Sequence, residues 1–192
     1  RLGKTPYYTG AAMTFLRPLD QILPPIASIY RDLLTILRKS KSEAELASLV
    51  TENLLQHFPG HRVTISVLQP DGKVFPLHSQ GSDGSALENP RSFDLSPASE
   101  VWEAFRQGRA LATPDVRKEK NIAPILAELL EIDPNTSRID IPFALSEQKA
   151  YLLSLTHSTR KEWSGSAKKV LQDFAEFLGF MFRDVLSRED LQ

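Results

Sequence analysis

Two stretches of this chain alternate apolar and polar residues on either side of a short polar turn. That pattern constrains the fold more than any other feature. In the first, Val63, Ile65 and Val67 alternate with Thr64 and Ser66, Pro70-Asp71-Gly72-Lys73 reverses the chain, and Val74 to Ser79 returns. In the second, Ser137 to His157, Ile139 and Ile141 alternate with Arg138 and Asp140. After a polar turn, Tyr151, Leu153 and Leu155 alternate with Leu152, Ser154 and Thr156. Period-two runs joined by tight turns are antiparallel hairpins. Gly72 supplies the positive φ such a turn uses, and Pro76, lacking an N–H, places its strand at an edge or a bulge. Ala110 to Thr113 reads as one more short strand.

The rest is helical in period. Ile26, Ile29, Tyr30, Leu33, Leu34 and Leu37 form a stripe from Pro25 to Arg38, with Pro25 near the first turn. Ser42 and Glu45 are spaced as a capping box. They open a helix carrying Leu46, Leu49, Val50 and Leu54, which Pro59-Gly60 stops. Ser96-Pro97 opens a third helix, with Ala98, Val101, Trp102 and Phe105 inward and Gly108 just past its end. Asn121 to Ile132 reads as a fourth. The last runs from a cap at Ser164 or Ser166 to about Arg188. Its apolar residues (among them Phe174, Phe177, Leu178, Met181, Phe182 and Val185) cover two adjacent faces. One sheet does not use that much girth, so this helix has a second partner: the 25–38 helix or the same helix of another copy. Helices before, between and after antiparallel hairpins make an α+β domain.

The expected organisation is an N-terminal arm or linker over residues 1–24, a linker or dimerisation helix over 25–40, and a domain over 41–192. The chain opens on Arg1, as a fragment would, and residues 1–12 before Met13 are consistent with added sequence.

Most chemistry is refused. The chain has no cysteine, which removes thiolate nucleophiles, thioether attachment and sulfur-based metal sites, and fits a cytoplasmic protein. No run approaches a membrane span, and a net charge of −1 argues against a nucleic-acid surface. His57 and His61 are four apart, but Pro59-Gly60 breaks the helix between them, so no metal site is expected. Gly81 to Ser85 lacks the lysine of a phosphate loop, and Trp163 to Ser166 lacks the second glycine of a nucleophile elbow. Asp115, Asp133 and Asp140 are scattered, and no nucleophile–base set assembles. The chain is therefore expected not to be an enzyme and to need no cofactor.

The assembled pattern resembles a GAF domain, the small-molecule-sensing module of signalling proteins, over about Ser42 to Leu186. Three stretches carry the likeness: the helix and hairpin around "VTISVLQPDGKVFPL"; "SEVWEAFRQGRALATPDV", with Gly108, Leu111 and Asp115 at the motif positions; and the hairpin ending in the long helix, with Pro142, Trp163 and Ser164 in place. A glycine usual in the second strand of that hairpin is replaced around Tyr151-Leu152, and the turn holds Ser146-Glu147-Gln148. The resemblance implies a six-stranded antiparallel, PAS-related sheet, with the N- and C-terminal helices on one face and a lid and pocket on the other. The lid would be the 96–107 and 121–132 segments. The Asn-Lys-Phe-Asp-Glu signature of cyclic-nucleotide members is missing, and cysteine-dependent bilin attachment and sulfoxide reduction have no cysteine to use.

The expected pocket residues are His78, Trp102, Thr113, Asp115, Ile122, Ile125, Arg138 and Asp140, around an unknown small molecule. The expected dimer face, joining two copies through the terminal helices, is Leu33, Leu37, Phe177, Met181, Phe182 and Val185. Arg138 and Asp140 face away from Ile139, Ile141 and Phe143. They are either a ligand grip or an internal ion pair. The resemblance implies, as the leading functional reading, a non-enzymatic regulatory domain of a signalling protein that binds a small molecule and passes the signal through its terminal helices. The second reading is a dimerisation or interaction module with a degenerate pocket and no ligand.

Overall fold

In the computed structural model, which describes residues 26–86, 91–146 and 149–189, the alternating runs pair as a six-stranded antiparallel sheet. Its strands are β1 (His61–Leu68), β2 (Lys73–Gly81), β3 (Phe93–Asp94), β4 (Leu111–Thr113), β5 (Ser137–Phe143) and β6 (Ala150–His157). Their order is β3-β2-β1-β6-β5-β4, with every pair antiparallel. The register shifts between Ile65 and Ser66, opposite Pro76 to His78, so Pro76 sits at a bulge as its missing N–H requires. The arm expected over residues 1–24 lies outside the described residues, as do Glu147 and Gln148 of the β5–β6 turn.

The helices are α1 (Ile26–Lys39), α2 (Glu43–His57), α3 (Ser99–Arg106), α4 (Leu126–Ile132) and α5 (Gly165–Glu189). At the start of α2, Ser42 Oγ accepts from the Glu45 N–H, and Glu45 reaches back to the Lys41 N–H, one residue earlier than the usual box. Ser164, not Ser166, caps α5, accepting from the Ala167 N–H at 3.1 Å. The segment expected as one helix over 121–132 is two pieces. Pro124 tightens its start into a 3₁₀ turn (Ala123–Ile125), and α4 follows.

Period-two alternation divides the side chains between two cores. Val63, Ile65, Ile139, Ile141, Phe143, Tyr151, Leu153 and Leu155 pack on α1, α2 and α5. The other core joins Leu68, Val74 and Leu152 to α3, α4 and the Val116, Ile122 and Ile125 segment. Each face of the sheet thus has its own layer, the arrangement expected of terminal helices opposite a lid.

Tyr30 of α1 meets Phe174 and Phe177 of α5 with ring centroids 5.1 Å apart in both cases. Beyond the sheet, α5 is therefore covered by α1 and α2 of the same chain. At the far end, the Arg188 guanidinium donates to the carbonyls of Leu37 and Ser40, and the next residue, Glu189, accepts from the Glu43 N–H. Gly179 lets α5 approach the chain after β5: a Cβ there would lie 3.2 Å from the Ala144 nitrogen.

Candidate functional site

The lid-side face of the sheet carries a band of polar side chains across five strands. Arg138 pairs across β5–β4 with Thr113 and across β5–β6 with Thr156, and Asp140 pairs with Ser154. Beyond them, Ser154 lies opposite Thr64 of β1, and Thr64 opposite Ser79 of β2. Cross-strand partners share a face, so these groups converge beneath the lid.

Arg138 and Asp140 grip each other. Nε donates to Oδ2 at 2.6 Å and Nη2 to Oδ1 at 2.7 Å, a fork geometry suited to a planar carboxylate. Ser154 Oγ adds a third bond to Asp140 Oδ1 at 2.6 Å. Both residues are buried, Arg138 at 9% exposure and Asp140 at 5%. Burial alone would lower the arginine pKa, but Asp140, with help from Asp133, outweighs it and holds the guanidinium above its ordinary value. Asp133 is tied down too: it accepts from Thr156 Oγ1 at 2.6 Å and from the Asn135 N–H at 3.0 Å.

Little space is left. A cavity of about 30 Å³ lies among Thr64, Ser66, Arg138, Asp133 and Ser154 on one side and Val74, Phe93, Leu129, Ile132 and Leu152 on the other. That volume holds about two waters, against roughly 300 Å³ or more for the pocket of a drug-sized ligand.

The other expected pocket residues do not meet there. Thr113 is buried beside Arg138, opposite it in the ladder. Ile122 and Ile125 are buried as lid packing. Asp115 caps the 3₁₀ turn Val116–Lys118, accepting from the Arg117 N–H, and pairs with Lys118. Trp102 lines a separate open groove of about 400 Å³ at the end of the sheet, with Leu68, Pro70, Arg106 and Leu145. His78 pairs with Ile65, a helix-side core residue, so it lies on the opposite face from Arg138. Thr64, Ser66 and Ser154 line the cavity and Thr156 holds Asp133, although all four lie outside the expected set. Their signal is a second period-two pattern, hydroxyls at alternate positions of otherwise apolar strands.

The expected dimer face needs the same revision. Leu33, Met181 and Phe182 are fully buried in this chain's own core, and Val185 and Leu37 are nearly so. α1 and α5 consume them against each other, α2 and the sheet. What these helices leave exposed is Leu34 at 44% and Phe180 at 53%, with half-buried Tyr30 and Phe177 between; the Phe177 and Phe180 rings stack 6.3 Å apart.

Among the described residues, no three His, Asp or Glu side chains gather as a metal site, and no helix is long and apolar enough to cross a membrane.

No protein-family model and no curated sequence matches the chain. Solved structures do. A far-red-absorbing protein in its dark state with bound biliverdin superposes with a TM-score of 0.67 at 17% identity, over 82% of this chain and 98% of that one. The phycocyanobilin-bound GAF domain of a cyanobacterial phytochrome gives 0.66 at 16%, over 85% and 97%. The GAF domain of an Acinetobacter phosphoenolpyruvate-protein phosphotransferase gives 0.62 at 13%, over 87% and 98%. At such identities the likeness is one of fold, and the fold is that of a GAF domain.

Proposed function

We propose that this GAF-fold chain is a non-enzymatic regulatory domain of a signalling protein that works through its terminal helices, its interior pocket closed by its own side chains. One observation carries the reading. The cavity measures about 30 Å³, and the guanidinium that would orient an anionic ligand is already held by Asp140. The output surface is the strip of Tyr30, Leu34, Phe177 and Phe180, and its partner is a second copy of the chain. Both helices contribute to it, so a self-associated pair reports any shift of α5 against the sheet. The test is sedimentation of the wild type against Leu34→Glu and Phe180→Glu. Both positions are exposed, so the variants keep their fold. Self-association by the wild type and its loss in both variants is the expected result. A wild type that stays monomeric at high concentration removes the reading.

A small-molecule sensor is the second reading. A polar floor under an apolar lid is how ligand pockets are built, and solved relatives in fold carry bilins. In this chain a ligand would have to part Asp140 from Arg138 and lift α4. A metabolite that raises the melting temperature of the wild type but not of Arg138→Met would favour it.

A further inference from the structure

Four described lysines, Lys73, Lys118, Lys149 and Lys169, each hold a carboxylate. Lys161 does not. Its Nζ lies 2.8 Å from His61 Nε2 and 5.0 Å from the centroid of the Trp163 ring. His61 is 5% exposed and Trp163 7%, so the amine rests on a wall of buried rings. The wall is oriented. His61 Nδ1 faces the carbonyl oxygens of Pro59 at 3.0 Å and Phe58 at 3.2 Å. Two acceptors there place the proton on Nδ1 and leave the Nε2 lone pair toward Lys161. The His61 ring lies 5.0 Å from that of His157 and 5.7 Å from that of Trp163. His157 is turned to its own loop, with Nδ1 accepting from the Thr159 N–H. The neighbouring charges, Arg160 and Glu162, pair with each other at the surface. Lys161 is itself half-buried, and its backbone N–H is held by the Pro114 carbonyl.

We propose that Lys161 is an acylation site, taking an acyl group from an acyl thioester. The amine nitrogen attacks the thioester carbonyl carbon. An N–C bond forms, the C–S bond breaks, the thiolate leaves with the electron pair, and the amine's proton goes to solvent; nothing is oxidised or reduced. The geometry favours both ends of this reaction. Before it, burial without a carboxylate lowers the Lys161 pKa and increases the share of free amine, the usual way a lysine becomes a nucleophile. Lys73 and Lys169 are held the other way, raised by Asp71 and Asp173. After it, the neutral amide keeps one N–H for His61 Nε2, and the acyl chain lies along the indole. The modification also removes a cation that pushes the His61 pKa down, so it resets a buried histidine.

The experiment treats the folded chain with a small acetyl thioester near neutral pH and follows each lysine by peptide mass spectrometry. Lys161 should be acetylated several-fold faster than exposed Lys120 and Lys168, and the preference should vanish in urea. A second readout is the His61 imidazole titration by NMR, which should move toward the ordinary histidine range in the acetylated chain and in Lys161→Gln. Lys161 reacting no faster than the exposed lysines overturns the proposal. So does a preference that survives unfolding, since it would then owe nothing to the ring wall.

Discussion

Replacing Asp140 with alanine tests whether the polar floor is a closed internal pair. The substitution deletes both guanidinium bonds, at 2.6 and 2.7 Å, and the Ser154 bond, while Arg138 stays 9% exposed. Asp133 still acts on the guanidinium from a distance, but it makes no bond to Arg138 and is held in place by Thr156 and the Asn135 N–H. A buried charge stripped of its partner costs about 3–5 kcal/mol. At roughly 2–4 °C per kcal/mol for a domain of this size, the melting temperature should fall by about 6–20 °C. Urea unfolding measures the loss directly, and an unchanged denaturant slope would assign it to the native state. The double variant Arg138→Met/Asp140→Leu separates pair from site. Replacing both charges with apolar groups of similar bulk is often neutral or stabilising, so it should recover most of the loss. If Asp140→Ala costs less than about 1 kcal/mol, or the double variant is as unstable as the single one, the pair is not the closed unit described here.

Two further outcomes follow from packing and linkage. Burial first, then the neighbouring Lys161 charge, lower the His61 pKa from 6.5 to about 4. The unfolded chain therefore binds a proton that the folded chain refuses between those values, and stability should drop as pH falls from about 6.5 to about 4, by on the order of 3 kcal/mol; urea midpoints across that window should flatten in His61→Gln. Gly179→Leu should cost about 1–3 kcal/mol by overpacking, because the added Cβ meets a backbone nitrogen that cannot turn aside; calorimetry measures it.

The two hairpins were legible because a buried face fixes register: slipping β5 by one residue would put Arg138 among Ile65 and Leu153 and Ile139 in the polar band. β3 was not, since two residues pairing with Lys73 and Val74 are too short to show any period. Pro124 was visible, but whether it starts a helix or tightens a turn depends on how the lid packs. The apolar girth of α5 announced a second partner correctly. Naming α1 and α2 as that partner needed the packed structure, because a residue's spacing on a helix does not say which helix will cover it. Arg138 and Asp140 were legible as charges on the far side of a strand. The sequence offers their mutual grip as one of two alternatives and leaves the choice open, because spacing does not fix side-chain direction among Thr113, Ser154 and Asp133. The hydroxyl alternation of Thr64, Ser66, Ser154 and Thr156 is present in the sequence as a pattern. It gains meaning only once β1 and β6 are neighbours.

The corner between α1 and α2 is where one helix ends and the next begins, so a negative pole and a positive pole sit side by side there. Into that corner α5 inserts consecutive residues of opposite sign, Arg188 to the carbonyls of Leu37 and Ser40, Glu189 to the Glu43 N–H. The match works like a keyed plug. Turning α5 by one residue in either direction would carry one of the two charges to the pole of its own sign and take the other off its partner. Any turn of α5 therefore breaks both contacts at once, and the two charges together hold its setting at this corner.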